Sequence, residues 1–491
     1  MSFSPSVAGR TALSATLALA LAACGGGGGS SASPIAGPSP APVPSPSPSP
    51  VACSVSEQIQ FADSVLRDWY LFPDLLDNTV NQANFSTVQG YLDARVAPAR
   101  AANRDQGFTF ATSIAEENAL INSGSSAGLG IRLNFDFDNN RLFILEAFEN
   151  GPGFQAGIDR GTEILAIGTD SSNLATVSSL MASGGAQAVI DALGPLDAGV
   201  TRVLRFAQGN GTVIEASVTK AAFSLDPVSD RYGALILQDA GRNVGYLNLR
   251  TFIVGGASEQ LRDAFQLFAS NNVSELILDF RYNGGGLVEN AETLGDLMGR
   301  NNVGNLFSET LVRPERVQDL QDQGFVFLRD FQSEVNALQP EGLVLIGTQS
   351  TASASELVTN AMLPYVAPER VALVGTNTSG KPVGQFAFDL ASCDLRVRAV
   401  TFRTVNADGE GEYFDGLAGV MPNTCRAEDD FTKPLGDPTE ASIATALDFL
   451  GGRSCTAISG QMGQIAQRPV MPTMVMPKEP RAAQHQIPGL F

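Results

Sequence analysis

Two serines, one lysine and a run of three glycines carry the chemistry available to this chain. Ser353 and Ser355 stand in Thr351-Ala352-Ser353-Ala354-Ser355-Glu356, and Lys381 in Ser379-Gly380-Lys381-Pro382-Val383-Gly384-Gln385. The glycines close Asp279-Phe280-Arg281-Tyr282-Asn283-Gly284-Gly285-Gly286. The single histidine, His485, lies in a Pro- and Met-rich tail. That excludes a Ser–His–Asp or Cys–His triad and any His-rich metal site, so a nucleophile must take its base from a carboxylate or a lysine. No metal and no cofactor are expected. A lysine can deprotonate serine when burial lowers its pKa towards neutrality. Its sequence neighbours Thr378, Ser379, Gly380, Pro382, Val383 and Gly384 carry no acid, and Gln385 can orient a neutral amine. A serine at a helix start lies beside free N–H donors, among them the Ala354 amide, where an oxyanion can be held. Two plainer readings stay open: Ser353 and Glu356 fit an S-x-x-E capping box, and the glycines fit a tight turn.

Each of these turns follows an apolar segment (275–278, 343–346 and 371–374), and helical patterns alternate with them. Apolar strands alternating with helices predict an α/β architecture with a mostly parallel sheet covered by helices, and sites at the carboxyl ends of its strands. Residues 54–120 read as helical, a scaffold or lid without chemistry of its own. From Ser126 the pattern changes to short strands and glycine turns, a β-rich unit.

Within that unit, Gly128-Leu129-Gly130-Ile131 followed by Gly161-Thr162-Glu163-Ile164-Leu165-Ala166-Ile167 resembles a PDZ domain. The resemblance implies that the Gly128–Ile131 loop offers N–H groups to a peptide's terminal carboxylate, with the next strand taking the peptide by β-augmentation. Over roughly residues 115–450 the motifs, in order, resemble the C-terminal processing peptidases, or tail-specific proteases. This implies a multidomain α/β fold: an N-terminal helical region, a PDZ-like domain and a crotonase/Clp-like catalytic core. It further implies Ser353, not Ser355, as nucleophile, Lys381 as general base and Gln385 as its partner. The oxyanion donors would be the amides of Ala354 and of Gly285 or Gly286. Three features depart from the family pattern. The serine–lysine spacing of 28 is a few residues long, with the excess in 363–370; Pro382 replaces a common glycine; and Gly161-Thr162-Glu163 stands where Gly-Asp is usual. The expected function is a serine endopeptidase acting on peptides or proteins through an acyl-enzyme. The alternative is a non-catalytic peptide-binding lipoprotein on the same scaffold.

The net charge of −20 and the lack of a basic stripe exclude nucleic-acid binding. Residues 1–23 read as an export signal, and Leu21-Ala22-Ala23-Cys24 resembles a lipobox, which implies acylation of Cys24. Gly25 in place of an aspartate favours the outer membrane within the cell envelope. Residues 24–52 form a Gly/Pro/Ser tether. The remaining expected divisions are 53–120, a β-rich domain at 121–222, a protease core at 223–455 and an unstructured tail at 456–491. Four further cysteines predict two disulfides, Cys393–Cys425 and Cys53–Cys455. The tail's Ile487-Pro488-Gly489-Leu490-Phe491 has two readings: a frayed terminus, or a ligand for the PDZ-like groove held in cis.

Overall fold

The computed structural model describes residues 53–458 and 474–491, with a two-residue strand Ser2–Phe3. The expected signal (apart from that strand), Cys24 and the tether lie outside the described residues.

The core sheet runs Ala234–Asp239, Arg242–Asn248, Glu275–Asp279, Gly342–Gly347, Val371–Gly375, Thr424–Arg426. The first pair is antiparallel and the others parallel. Period-two alternation divides its side chains between two cores. Leu276, Leu278, Leu343, Leu345 and Leu373 face the helices Ala257–Ser270, Val288–Met298 and Ala354–Met362. Ile277, Val344, Ile346, Ala372 and Val374 face the helix Ala441–Leu450. Burial on both faces explains why these strands are apolar throughout instead of alternating with polar residues.

A second, largely antiparallel sheet was not apparent in the sequence. It is built on the hairpin Val383–Leu390/Leu395–Val405, extended by Leu306–Val312 and Leu328–Asp330. Phe110–Ser113 also pairs with Leu395–Val405, so the region read as helical contributes a strand as well. The amphipathic helix Val55–Trp69, capped by Ser54, packs Ala62, Val65 and Leu66 against Val397, Ala399 and Val400 of this sheet.

The β-rich unit is a five-stranded sheet, Ile131–Asp136, Arg141–Ala147, Glu163–Gly168, Thr201–Ala207, Val213–Thr219, with Leu174–Thr176 beside it. The helix Val177–Leu193 covers it through Val189, Ile190 and Leu193. Buried ion pairs seat this domain on the core: Arg250 with Glu146 at 2.6 Å, and Arg160 with Asp429 at 2.5 Å. Charges this deeply buried are tolerated only when paired, so they fix the orientation of the two domains.

The disulfides differ from the expected pairing: they are Cys53–Cys393 and Cys425–Cys455. The hairpin projects Cys393 to the start of the first helix, a neighbour 340 residues away in sequence that no spacing argument reveals. The tail also departs from the unstructured expectation. Residues 474–491 are ordered against the β domain and the core, with a short helix Ala482–Gln486.

Candidate active site

Three turns converge because the strands carrying them are neighbours in register: Asp279 lies opposite Ile346, and Gly347 opposite Gly375. Chain segments far apart in sequence therefore meet at one end of the sheet, where Phe280 N donates to Ile346 O at 2.9 Å. Asn283 knits the glycine turn to the serine turn. Its carbonyl accepts from Ala352 N at 3.1 Å and from the Ser355 hydroxyl at 3.1 Å. The serine turn in turn holds the lysine turn, with Ser379 N donating to Thr351 O at 2.9 Å.

Ser353 begins the helix Ala354–Met362 with φ +55° and ψ −115°, outside the conformations ordinary for a side-chain-bearing residue. Such strain persists only where its surroundings impose it, and it clusters at functional sites. Here the surroundings are Gly285, whose φ is +105° and where an added Cβ would stand 2.7 Å from Ser353 Cβ. Glu356 accepts from Ser353 N at 3.0 Å, while the Ser353 side chain makes no capping hydrogen bond. The partly exposed Ser353 hydroxyl thus differs from that of Ser355, which is fully buried and spent on Asn283.

Glu356 does more than start the helix. Its two oxygens also accept from the Thr378 hydroxyl at 2.6 Å, Gly380 N at 2.8 Å and Lys381 N at 2.8 Å. One buried carboxylate therefore holds the backbones of Ser353 and Lys381 together. Burial pushes its pKa up, and its hydrogen bonds oppose that. Gly380 cannot carry a side chain here, because its φ is +83° and a Cβ would meet Phe414 O at 2.3 Å.

Lys381 Nζ donates to Gln385 Oε1 at 2.8 Å, and Gln385 Nε2 donates to the Phe108 carbonyl. The Nζ lies 4.9 Å from the centre of the Phe108 ring. Burial draws the lysine pKa down to about 8, helped by the Arg398 charge and opposed by Asp105 and Glu356. The acid-free surroundings expected from sequence neighbours are thus corrected: two carboxylates act on Lys381 through space, and desolvation outweighs them.

Of the expected oxyanion donors, Gly285 N is engaged by Asn283 Oδ1 at 2.9 Å. The Ala354 and Gly286 amides have no hydrogen-bond partner among the described residues. In the β domain, Gly128-Leu129-Gly130-Ile131 borders the tail: Ile131 N donates to Phe491 O at 3.0 Å, and Phe491 N to Ile131 O at 2.8 Å.

Reasoning from sequence missed Asp105 and Phe108, the wall of the lysine pocket. Asp105 is fully buried and accepts from Tyr70, Phe108 and Thr109. Nothing in Asp105-Gln106-Gly107-Phe108-Thr109 marks it apart from an ordinary turn. The described residues hold no cluster of His, Cys, Asp and Glu suited to a metal ion.

Residues 243–424 match peptidase family S41. The chain is 26% identical over 339 residues to a carboxyl-terminal-processing protease of Synechocystis sp., covering 68% of this chain and 70% of that one. It is 27% identical over 331 residues to carboxyl-terminal-processing peptidase 2 of Arabidopsis thaliana, covering 65% and 58%. Its fold is similar to that of a Bacteroides fragilis protein described as an S41 protease, with a TM-score of 0.59, 23% identity, and coverage of 80% of this chain and 97% of that one. Residues 243–424 carry the glycine, serine and lysine turns, and on their match to peptidase family S41 and the likeness to carboxyl-terminal-processing proteases the chain is a serine-type peptidase.

Proposed function

We propose that this chain is a lipid-anchored endopeptidase that cuts proteins recognised near their carboxyl termini, with Ser353 as nucleophile and Lys381 as general base. The observation that carries the reading is that one buried carboxylate, Glu356, accepts from the backbone of the strained Ser353 and from that of Lys381, a lysine whose pKa burial lowers to about 8. The neutral Nζ takes the Ser353 proton as Oγ attacks the scissile carbonyl carbon, and the resulting ammonium protonates the leaving amine. Water then attacks the acyl-enzyme, giving its proton to Nζ, and the proton returns to Ser353 as the acid leaves. The Ala354 and Gly286 amides hold the oxyanion, with Gly285 fixing the serine turn. Gln385 aims the amine. The names of the relatives support carboxyl-terminal processing.

The β domain, read as PDZ-like, offers the Gly128–Ile131 loop and the edge of Ile131–Asp136 to extended peptides. Acylated Cys24 ties the enzyme to the cell envelope, with the outer membrane favoured. The alternative, a peptide-binding lipoprotein without catalysis, requires no lowered lysine pKa. The test is turnover of a fluorogenic peptide with an apolar carboxyl end. Wild type should cleave it, and Ser353→Ala and Lys381→Ala should each lose at least about a thousandfold in kcat/KM while keeping peptide affinity. Cleavage retained in Ser353→Ala contradicts the assignment.

A further inference from the structure

Residues 474–491 occupy the groove and the approach to the dyad at once. At the groove, Leu490 lies opposite Arg132 in an antiparallel bridge, and Leu133 N donates to Gly489 O at 2.9 Å. With the Ile131–Phe491 pair, this adds a strand to the edge of Ile131–Asp136. Phe491 enters the core of the β domain beside Val189, Ile190 and Leu193. Ile487 and Leu490, 1% and 3% exposed, join Leu120, Phe148, Phe223 and Ile253 in a cluster bridging the β domain and the core.

The same segment then crosses the catalytic turns. Gln486 O lies 2.9 Å from where a Gly284 Cβ would stand, with Pro488 Cδ at 3.2 Å. His485 stacks on Phe110 with ring centres 3.9 Å apart, and burial, helped by the Lys381 charge, lowers its pKa. The Pro488 carbonyl accepts from buried Arg132, which also reaches Tyr282 O beside Asn283. Met474 lies on Ser350, at the entrance to the serine turn. The helix Ala482–Gln486 ends at the glycine turn and a turn at 487–490 follows it, with Leu490 N donating to Ile487 O at 3.3 Å, so the stretch is not extended as a peptide entering a protease cleft must be.

We propose that residues 474–491 are a resident ligand of the β-domain groove and hold the enzyme self-blocked, by filling the peptide groove and covering the glycine turn with a helix end and turn that do not thread the cleft. The groove accordingly selects extended segments with large apolar side chains at the positions of Leu490 and Phe491. Substrates of that chemistry compete with the tail. The self-block rests on the Ser353–Lys381 reading; the groove occupancy does not.

The test uses a fluorescein-labelled peptide of residues 474–491 and two Ser353→Ala proteins, one of full length and one lacking 474–491. The peptide should bind the shortened protein with at least about tenfold higher affinity than the full-length one, because the tethered segment competes at high effective concentration. In the Ser353-containing pair, deletion should speed fluorophosphonate labelling by a similar factor, and full-length Ile487→Asp should do the same without truncation. Equal peptide affinity for both proteins overturns the occupancy. Equal labelling rates for full-length, deleted and Ile487→Asp proteins overturn the block. Peptide binding that discriminates, with no labelling of any protein, supports the resident tail and counts against Ser353 as nucleophile instead.

Discussion

Lys381 Nζ donates to Gln385 Oε1 at 2.8 Å, so the proposed base is aimed by a neutral amide and not by a carboxylate. Charge, not geometry, decides the effect of replacing that amide. Gln385→Glu keeps the acceptor but places an anion against the amine, which favours the ammonium form. The midpoint of the pH–rate profile should move upward by about 1–3 units. Gln385→Ala should lower kcat with a smaller shift in midpoint. A profile unmoved by Gln385→Glu separates Lys381 from the rate-determining proton transfer.

The pH dependence of the wild type has a definite sign. With Lys381 as the proposed base its neutral form is the active one, and burial draws its pKa down to about 8. Activity should therefore rise through that pH and level off above it, falling about tenfold per unit below it. His485, held near 4 mainly by burial, contributes no step between pH 5 and 8. kcat/KM measured from pH 6 to 10 checks this, and a step near 6.5 contradicts it.

Glu356 should matter for stability as well as rate. Glu356→Ala strands two buried donors, on Thr378 and Gly380, and two part-buried ones, on Ser353 and Lys381. Each buried unpaired group costs about 1–3 kcal/mol, which predicts a clearly lowered Tm and loss of activity together. Ser355→Ala removes one hydrogen bond to an Asn283 carbonyl that still accepts from Ala352. Its expected cost is about 1 kcal/mol with activity within a few-fold of wild type, measured by thermal denaturation and peptide turnover.

The disulfide pairing is checked by non-reducing peptide mapping. Digests should yield the Cys53–Cys393 and Cys425–Cys455 linked pairs. Reduction should lower Tm, because the first bridge closes a loop of 340 residues in the unfolded chain. Recovery of Cys393–Cys425 instead contradicts the fold around the hairpin.

How much was legible in the sequence depended on whether a feature was local. The two turns, the parallel strands before them and Lys381 were readable, because glycine runs, apolar strands and an S-x-x-E helix start are signals within a few residues. The hairpin from Val383 to Val405 was not, since the alternation of Arg396, Arg398 and Arg403 with apolar residues slips at Ala399-Val400, near the irregularity in its pairing with Gly384 and Gln385. Two of those arginines find an acid far away in sequence: Arg396 and Arg398 meet Glu117, in the region read as inert helix. The same distance in sequence hid Asp105, Phe108 and the Cys53–Cys393 bridge. The tail was readable in its last five residues, whose apolar ending suits a strand-edge groove, but its helix and its course over Gly284 depend on contacts with both the β domain and the core.

The central claim is that Ser353, and not Ser355, is the activated nucleophile. The most direct measurement is mass spectrometry of the protein after a fluorophosphonate probe, with the modified peptide sequenced. The account predicts a single adduct on Ser353, forming faster as pH rises through about 8 and absent in Lys381→Ala. An adduct on Ser355, or labelling of Ser353 that persists unchanged in Lys381→Ala, contradicts it.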